Sequence, residues 1–510
     1  MPVGHWLLDL PGGFGRFSMS MVVDLPVGID GGGLEAVLSA VVDRHDVLRS
    51  RLVGVGAGWG LEVGPVGSVR VGGLVRRVVC DGVWDSAGWR GVASAELDAA
   101  LGGLDPVGGV MARFVWFDAG VSVPGRLLLV LHHFVVDGVS WRVLLPDLAA
   151  AWSRVRVGEG VVLPGVGTSV RRWSHALVDE ARSVSRVGEL GFWEGVLSGR
   201  DVVLGRRRPD PSVDVMGSVE SVRVVVDAGV TEALLSGVPA AFRAGVNDGL
   251  LAGLAVAVAS WRGSRGVDQS DVLVRLEGHG REEGVVEGAD LSRTVGWFTS
   301  MFPVRLDVSG FDVGEVFASG GAAGGVVKAV KEQLARVPDR GLGFGLLRYV
   351  NEETGGVLAG LGVPQIGFNY LGRFSAGDMP EELRGLGWSQ VMGVDEIESE
   401  FDGDMPALSA LEIGAFVADG VSGPRLEAVF SFPSGVLERG EVEELAGLWS
   451  RALSGLAGFV EGGGVGGLTP SDLSLVGVSQ GEIEVWEERY PGLRDVWPLT
   501  PLQSGLLFHT

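Results

Sequence analysis

The sequence contains a single cysteine, Cys80, in 510 residues. A disulfide framework within the chain is therefore excluded, which fits a protein of a reducing compartment. Basic residues are also scarce, since 41 Lys and Arg stand against 64 Asp and Glu, for a formal net charge of -23. Nucleic acids and anionic membranes bind basic surfaces, so neither is expected as a partner.

Targeting segments and long hydrophobic runs are missing from the sequence as well. The first residues, Met1 to Trp6, lack a basic region ahead of an apolar stretch, so no secretory signal is visible. The longest apolar helical run, 249–261, is shorter than the roughly 20 residues that span a bilayer. Together with the charge, these features predict a cytoplasmic protein.

Hydrophobic residues make up 46% of the sequence, as in globular proteins, and the length exceeds that of one ordinary core. Apolar periodicity predicts helices at 34–42, 173–187 and 238–261, and strands at 113–117, 127–131, 272–276 and 302–306. The mixture predicts an α/β (α+β) protein with an N-terminal lobe at 1–178, a crossover at 179–217 and a C-terminal lobe at 218–465.

The most informative segment joins the strand at 127–131 to a helix with apolar residues at helical spacing. It reads His132-His133-Phe134-Val135-Val136-Asp137-Gly138-Val139-Ser140-Trp141. Ser140 occupies the position expected for the helix N-cap. Neighbouring strand residues point to opposite faces, so only one histidine can face a given cavity. This geometry is typical of a positioned acid/base histidine.

Two other readings of the histidine pair are open. Core histidines that only form structural hydrogen bonds explain the local pattern about equally well. A metal site is less favoured, because His132, His133 and Asp137 do not place three ligands on one face and Cys80 adds none.

A second candidate segment, Glu277 to Glu282, follows the strand at 272–276. Locally, a carboxylate between glycines is more typical of a solvated acidic turn. However, His279 and Arg281 come directly after it, and titratable groups of opposite type perturb one another as acid/base sites require.

Glycine motifs carry little weight in a sequence with 85 glycines. Gly462, Gly464 and Gly467 match a dinucleotide-binding spacing, but they lie in a glycine-rich linker with no strand before it. The hydrolase-like segment around Ser479 is better explained as a capping box with Glu482.

Together, these segments resemble the epimerization domain of nonribosomal peptide synthetases, within the condensation-domain superfamily, over nearly the whole chain. The histidine motif, HHxxxDG, is shared by the superfamily. Two blocks are typical of epimerization: Glu277-Gly278-His279-Gly280-Arg281-Glu282 and Phe368-Asn369-Tyr370-Leu371-Gly372-Arg373. Blocks at 290–303 and 338–345 match as well. Gly414 stands where the family usually has Asn, and we assign its strand no role.

The resemblance implies two chloramphenicol-acetyltransferase-like lobes that form a V around a central cleft, each a mixed sheet flanked by helices. It implies inversion of the α-carbon of an aminoacyl or peptidyl thioester in nonribosomal peptide (antibiotic) biosynthesis. His133 and Glu277, at strand ends in different lobes, are the expected catalytic pair. Supporting residues are expected at Asp137 and Arg281, as an ion pair, and at His132, Ser140, Trp141, Asn369 and Tyr370.

The resemblance also implies partners. No phosphopantetheine attachment site is present in the sequence, so the substrate is expected on the phosphopantetheine arm of a separate peptidyl carrier protein domain. No metal or cofactor bound by this chain is expected. Residues 466–490 resemble a linker, and 491–510 the start of a following condensation domain.

Two alternative functions share the superfamily resemblance. A condensation catalyst would use His133 to form a peptide bond and has no evident need for Glu277. A catalytically silent member would only dock carrier proteins, although intact His133, Asp137 and Glu277 count against silence.

Overall fold

The computed structural model describes residues 1–56, 58–84, 86–373, 379–391, 401–420 and 423–508. Its strands are β1 Ser18–Asp24, β2 Ser50–Val55, β3 Gly58–Val63, β4 Val75–Val79, β5 Ala112–Asp118, β6 Arg126–His132, β7 Val219–Val226, β8 Asp271–Gly278, β9 Ser300–Asp307, β10 Ile366–Arg373, β11 Leu411–Gly420 and β12 Gly423–Pro433.

The helices are α1 Pro2–Asp9, α2 Gly31–Arg44, α3 Ala87–Gly102, α4 Gly138–Val155, α5 Val170–Glu180, α6 Val184–Val187, α7 Leu190–Leu197, α8 Ala228–Glu232, α9 Val238–Phe242, α10 Val246–Gly263, α11 Val313–Phe317, α12 Gly321–Ala335, α13 Leu342–Tyr349, α14 Glu352–Ala359, α15 Arg439–Glu461, α16 Gln480–Arg489 and α17 Pro501–Phe508. The last two residues of the predicted segment 491–510 lie outside the described residues.

The sheet of the N-terminal half has the strand order β1-β6-β5-β4. Strand β6 is antiparallel to both neighbours, which confirms the predicted pairing of 113–117 with 127–131. Every residue of β6 is buried, because its continuous apolar run is covered on both faces. Leu127, Leu129 and Leu131 belong to the core cluster that contains α2 and α4. Leu128 and Val130 belong to the cluster that contains α3.

The sheet of the C-terminal half has the order β7-β12-β11-β10-β8-β9, and β10 runs parallel to both of its neighbours. Helices α10, α12 and α15 share a core with one face of this sheet. Strand β11 alternates accordingly, with Leu411 and Ile413 buried and Glu412 and Gly414 partly exposed. The partly exposed face, termed the cleft face below, carries Glu277.

A segment at 388–391, termed the strap, links this half to the edge of the N-terminal sheet. Trp388 N–H donates to the Asp24 carbonyl at 2.7 Å, and Asp24 N–H donates to the Ser389 carbonyl at 2.9 Å. Val391 N–H donates to the Val22 carbonyl at 2.9 Å. The Trp388 side chain is fully buried in the N-terminal core. The strap therefore extends the N-terminal sheet with backbone from the second half of the chain.

Two segments that were each predicted as one continuous helix contain two helices in the structure. The helix predicted at 173–187 is α5 followed by α6, because Ser183 caps a new helix by accepting the N–H of Arg186. The helix predicted at 238–261 is α9 followed by α10, because Arg243 adopts a left-handed conformation with φ 47°. Asp248 then caps α10 by accepting the N–H of Gly245 at 2.7 Å.

Among the described helices, none is by itself both long and apolar enough to cross a bilayer. The bent pair 228–242 and 246–263, with 102° between its axes, meets the length and composition criteria only when the two are joined. The apolar residues of α10 lie in the core of the C-terminal half.

The linker predicted at 466–490 contains α16, which Ser479 caps together with Glu482, as the sequence predicted. Ile483 packs with Leu468 and Leu473 in a small separate cluster. Lys331 Nζ donates to Asp472 at 2.7 Å and so joins the linker to α12. The predicted domain boundaries themselves stay predictions.

Candidate active site

The histidine motif lies in the connection between β6 and α4. Strand β6 ends at His132, and a short 3-10 turn from His133 to Val135 leads to α4. The N-cap of α4 is Asp137, so the prediction of Ser140 as the N-cap is wrong. Asp137 Oδ1 accepts the N–H of Ser140 at 2.8 Å, while Ser140 Oγ accepts the N–H of Asp137 at 3.4 Å. A carboxylate at this position also complements the helix dipole.

His132 lies in the core and has no exposed surface. Its Nε2 bonds to the carbonyl of Phe14 at 2.9 Å, and its Nδ1 accepts the N–H of Phe134 at 3.2 Å. The ring also stacks on Phe134 at 4.9 Å between centroids. Burial lowers the pKa of His132 to about 4. These contacts hold the His132 side chain in the core at the end of β6.

His133, in contrast, is partly exposed and lies between two aromatic rings. Its imidazole stacks on Phe17 at 5.1 Å and contacts Trp297 at 4.5 Å between centroids. Burial lowers the pKa of His133 to about 4, although the nearby Asp137 carboxylate opposes the shift. The imidazole is therefore neutral near pH 7 and able to accept a proton.

Asp137 and Arg281 form the predicted ion pair, and both side chains are at most 8% exposed. Asp137 Oδ2 also accepts the N–H of Phe298 at 3.1 Å. Arg281 donates in addition to the carbonyls of Leu291, at 3.1 Å, and Thr294, at 2.5 Å. Asp137 thus holds α4 and the segment after β8 together, and its hydrogen-bonding capacity is used in doing so.

Two neighbours of this network reinforce it. Ser140 Oγ donates to the carbonyl of Gly296 at 3.1 Å, which adds a second link from α4 to the segment before β9. Trp141 is 2% exposed and packs in the N-terminal core, where it anchors α4.

Glu277 lies near the end of β8 on the cleft face. Asn369 on β10 donates from Nδ2 to Glu277 Oε2 at 2.7 Å. Burial raises the pKa of Glu277 to about 7, with Arg275 opposing the shift and Glu412 adding to it. A carboxyl with this pKa exchanges a proton readily near neutral pH.

The turn after Glu277 depends on Gly280. Its φ is +63°, and an added Cβ would lie 1.8 Å from the carbonyl oxygen of Phe298. Only glycine permits both features. His279 faces Arg281 and Glu282 here, because its Nδ1 accepts the N–H of Arg281 at 3.0 Å and its Nε2 lies 3.5 Å from Glu282.

A second ion pair lies beside Glu277 on the same face. Arg275, two residues earlier on β8, donates to Glu412 on β11 at 2.6 Å. The intervening strand β10 has Gly367 at this level, in register with both residues. A Cβ on Gly367 would lie 2.0 Å from Glu412 Oε2, so the pair can form only because that side chain is missing.

Tyr370 follows Asn369 and therefore points to the opposite face of β10. It packs against the hydrophobic core of the C-terminal half, and its partner in register on β11 is the buried Ala415. Burial raises the pKa of its hydroxyl. The structure thus brings Asn369, but not Tyr370, to the Glu277 carboxylate.

The His133 and Glu277 segments approach one another in two ways. Glu277 pairs with Met301 on β9, and Trp297, four residues earlier, contacts the ring of His133. A recess of about 270 Å³ lies beside Glu277 and is also lined by Asn369, Phe401 and Gly414; we term it the Glu277 recess. Phe401 stacks on Phe17 at 5.2 Å, and Phe17 stacks on His133.

Several site residues were missed from the sequence. The aromatic neighbours of His133 come from distant segments, and local patterns do not predict such contacts. Arg275 is different, because strand alternation places it on the same face as Glu277. Within the described ranges, no group of three or more His, Cys, Asp or Glu side chains is arranged to hold a metal ion.

Comparison with known proteins adds family and fold. The family model of the Condensation domain matches residues 124–413, which include both the histidine and the glutamate segments. A linear gramicidin synthase of Brevibacillus parabrevis is 33% identical over 100% of this chain and 6% of its own length. Tyrocidine synthase 1 of the same organism is 27% identical over 92% of this chain and 41% of its own length. This chain therefore spans less than half the length of either relative.

Among solved structures, the epimerization domain from the third module of tyrocidine synthetase B has a TM-score of 0.74 at 23% identity, covering 91% of this chain and 97% of that one. The first condensation domain of the calcium-dependent antibiotic synthetase has a TM-score of 0.61 at 20% identity, covering 89% and 95%. The predicted fold class, α/β of the chloramphenicol-acetyltransferase type, is confirmed. Because the family model covers more than half of the sequence, the chain belongs to the Condensation domain family, and the synthases named above are nonribosomal peptide synthetases.

Proposed function

We propose that this chain inverts the α-carbon of an aminoacyl or peptidyl thioester, with His133 and Glu277 as the two acid/base groups. The observation that carries the proposal is Glu277, a carboxyl with a pKa raised to about 7 that is held by Asn369 on the cleft face. Peptide-bond formation has no evident use for such a group. Proton exchange at a carbon atom, in contrast, requires a group that can donate and accept a proton.

The two groups suit opposite halves of one proton exchange. One of them removes the α-proton, and the other delivers a proton to the opposite face of the planar enolate. Near pH 7 the imidazole of His133 is free to accept, while a large fraction of Glu277 is protonated and able to donate. In the reverse direction the Glu277 carboxylate accepts and the His133 imidazolium donates, so the proton count of the pair is the same.

The surroundings support a shielded reaction. Phe17 and Trp297 flank the imidazole and exclude water from its faces. The Asp137–Arg281 pair fixes the segments that carry both acid/base groups. Positioning of this kind reduces the entropy lost when the reacting atoms approach.

The substrate and partners follow from the same proposal. The thioester would be presented on the phosphopantetheine arm of a peptidyl carrier protein domain, with no cofactor bound by this chain. A downstream condensation domain would receive the product. The multidomain relatives support this arrangement, since this segment covers less than half of each.

Peptide-bond formation is the second candidate, because the matching family model is named for condensation. It would use His133 and two loaded carriers. It predicts that Glu277 is dispensable, whereas inversion requires it. A silent carrier-docking role predicts no chemistry from either residue.

The test uses Glu277→Gln, which keeps the side-chain shape and removes proton exchange. A carrier loaded with the L- or D-aminoacyl group is incubated with the protein in deuterated water, and chirality and α-deuterium are both measured. Inversion should fall by roughly two to four orders of magnitude. With the substrate that His133 deprotonates, incorporation of α-deuterium should fall less than inversion does. His133 can still remove the α-proton and return a proton to the same face.

Glu282→Gln is the matched control, since Glu282 belongs to the same motif but faces His279. Unchanged inversion in Glu277→Gln would reject the proposed role of Glu277. Peptide product from two loaded carriers, without inversion by the unmodified protein, would establish condensation instead.

A further inference from the structure

The Glu277 recess extends beyond the acid/base pair across the cleft face of the C-terminal sheet. Its wall is mainly apolar, and its larger apolar side chains include Met216, Val219, Phe401, Leu408, Val429 and Pro433. Its volume of about 270 Å³ exceeds that of a cavity of about 150 Å³, which is known to hold benzene. The recess is thus wide enough for a branched or aromatic side chain.

Gly414 makes this space available. It lies inside β11 on the cleft face, in register with Asn369 on one side and Val429 on the other. A Cβ added to Gly414 would meet no heavy atom within 4 Å among the described residues beyond its chain neighbours. Glycine inside a strand lowers stability and often marks a place where a ligand approaches closely.

The charged groups at the edge of the recess are already paired. Glu412 accepts from Arg275 at 2.6 Å and from Ser409 at 2.7 Å, and Glu277 accepts from Asn369. Glu277 and Glu412 are the charged residues among the described ones that line the recess, so the wall offers an incoming charged side chain no unpaired counter-charge. An apolar side chain would be stabilised there, because its surface is removed from water.

We propose that the Glu277 recess receives the apolar side chain of the residue whose α-carbon is inverted, and that Gly414 sets the size it accepts. This inference rests on the proposed function. It fits the geometry, because a side chain is attached directly to the α-carbon that Glu277 must reach. The substrate class is then an aminoacyl or peptidyl thioester ending in a branched aliphatic or aromatic residue.

The test is a size series at one position, with Gly414→Ala and Gly414→Val. Both variants should fold at least as stably as the unmodified protein, since the added atoms enter open space and a β-branched residue suits a strand. Inversion rates are measured with carriers loaded with L-alanine, L-leucine and L-phenylalanine. Ala418→Val, on the same face of β11 but outside the recess, is the control.

With Gly414→Val, the rate should fall roughly 10- to 200-fold more for leucyl and phenylalanyl substrates than for the alanyl substrate, as steric selection by a pocket allows. Gly414→Ala should show a selective loss between those of the unmodified protein and Gly414→Val. Ala418→Val should have the same inversion rates as the unmodified protein. An equal loss for all three substrates, or no loss for any, would overturn the inference while leaving inversion itself established.

A binding measurement separates this inference from the proposed function. Stable amide analogues of alanyl-, leucyl- and phenylalanyl-pantetheine are titrated calorimetrically into the protein and into Gly414→Val. Tighter binding of the larger analogues that disappears in the variant supports the recess even if no inversion occurs. Equal binding of all three analogues to the unmodified protein contradicts it.

Discussion

Arg281 Nη2 donates to both carboxylate oxygens of Asp137, at 3.0 and 3.2 Å. Asp137 lies four residues after His133, and Arg281 lies four residues after Glu277. The ion pair therefore joins, at equal distances along the chain, the two segments that carry the proposed acid and base. It belongs to both halves of the protein at once.

Removing this pair should lower stability at least as clearly as activity. Asp137→Asn leaves Arg281 buried without its counter-charge, which costs about 3–5 kcal/mol of the free energy of unfolding. Denaturant unfolding measures the loss. Arg51→Ala, which breaks the exposed pair with Glu62, should cost no more than about 1 kcal/mol. An Asp137→Asn protein that unfolds normally but has no activity would show that Asp137 takes part directly.

Loss of the amide beside Glu277 should change its titration. A hydrogen bond to the ionised form lowers a carboxyl pKa, so Asn369→Ala should raise the pKa of Glu277 above its value of about 7. The alkaline limb of the inversion profile should move to higher pH, with a rate loss of about 10- to 100-fold. Tyr370→Phe, on the opposite face, should change neither. A profile of Asn369→Ala that coincides with the original would contradict the contact.

Substitution of His133 should mainly lower the inversion rate, whereas substitution of His132 should mainly lower the stability. His133→Ala should lower inversion by about two to four orders of magnitude, with little change in the midpoint of thermal unfolding. His132→Ala leaves the N–H of Phe134 unpaired, at about 1–3 kcal/mol, and removes one of the two donors to the carbonyl of Phe14, which still accepts the N–H of Phe17. Full activity in a folded His133→Ala protein would remove His133 from the mechanism.

The pH dependence of inversion should be bell-shaped. Below about pH 4, His133 is protonated and cannot accept, whereas above about pH 7 Glu277 is ionised and cannot donate. The rate should therefore rise through the lower pKa and fall through the upper one, and the limbs belong to the coupled pair. In Glu277→Gln the alkaline limb should disappear from the residual rate. A profile that keeps rising above pH 8 would contradict the assignment.

Sequence patterns predicted the parts of the site that depend on local order. A continuous apolar run before His132 and strand alternation around Glu277 are local features, and the structure has the strands accordingly. Ser140 was wrong as the N-cap because both Asp137 and Ser140 suit that position. Only the three-dimensional path of the chain decides which of them lies outside the first turn.

The features of the site that sequence patterns did not predict depend on contacts between distant segments. The raised pKa of Glu277 comes mainly from burial, which needs the neighbouring strands in place. The role of Gly414 is similar, since a glycine within a strand has meaning only once Asn369 and Val429 are known to flank it. Arg243 broke a predicted helix by adopting a left-handed conformation that its residue type does not favour.

The strap has a consequence for how the protein comes apart. Strand β1 is the edge strand of the N-terminal sheet. The unpaired backbone groups of an edge strand can pair with another chain. Here Trp388, Ser389 and Val391 occupy that edge while their chain connects β10 to β11 in the other sheet. Neither half can lose its structure without exposing backbone groups of the other, so amide hydrogen exchange at Asp24 and Val391, whose N–H groups donate across this junction, should follow the same unfolding event as exchange in β10 and β11.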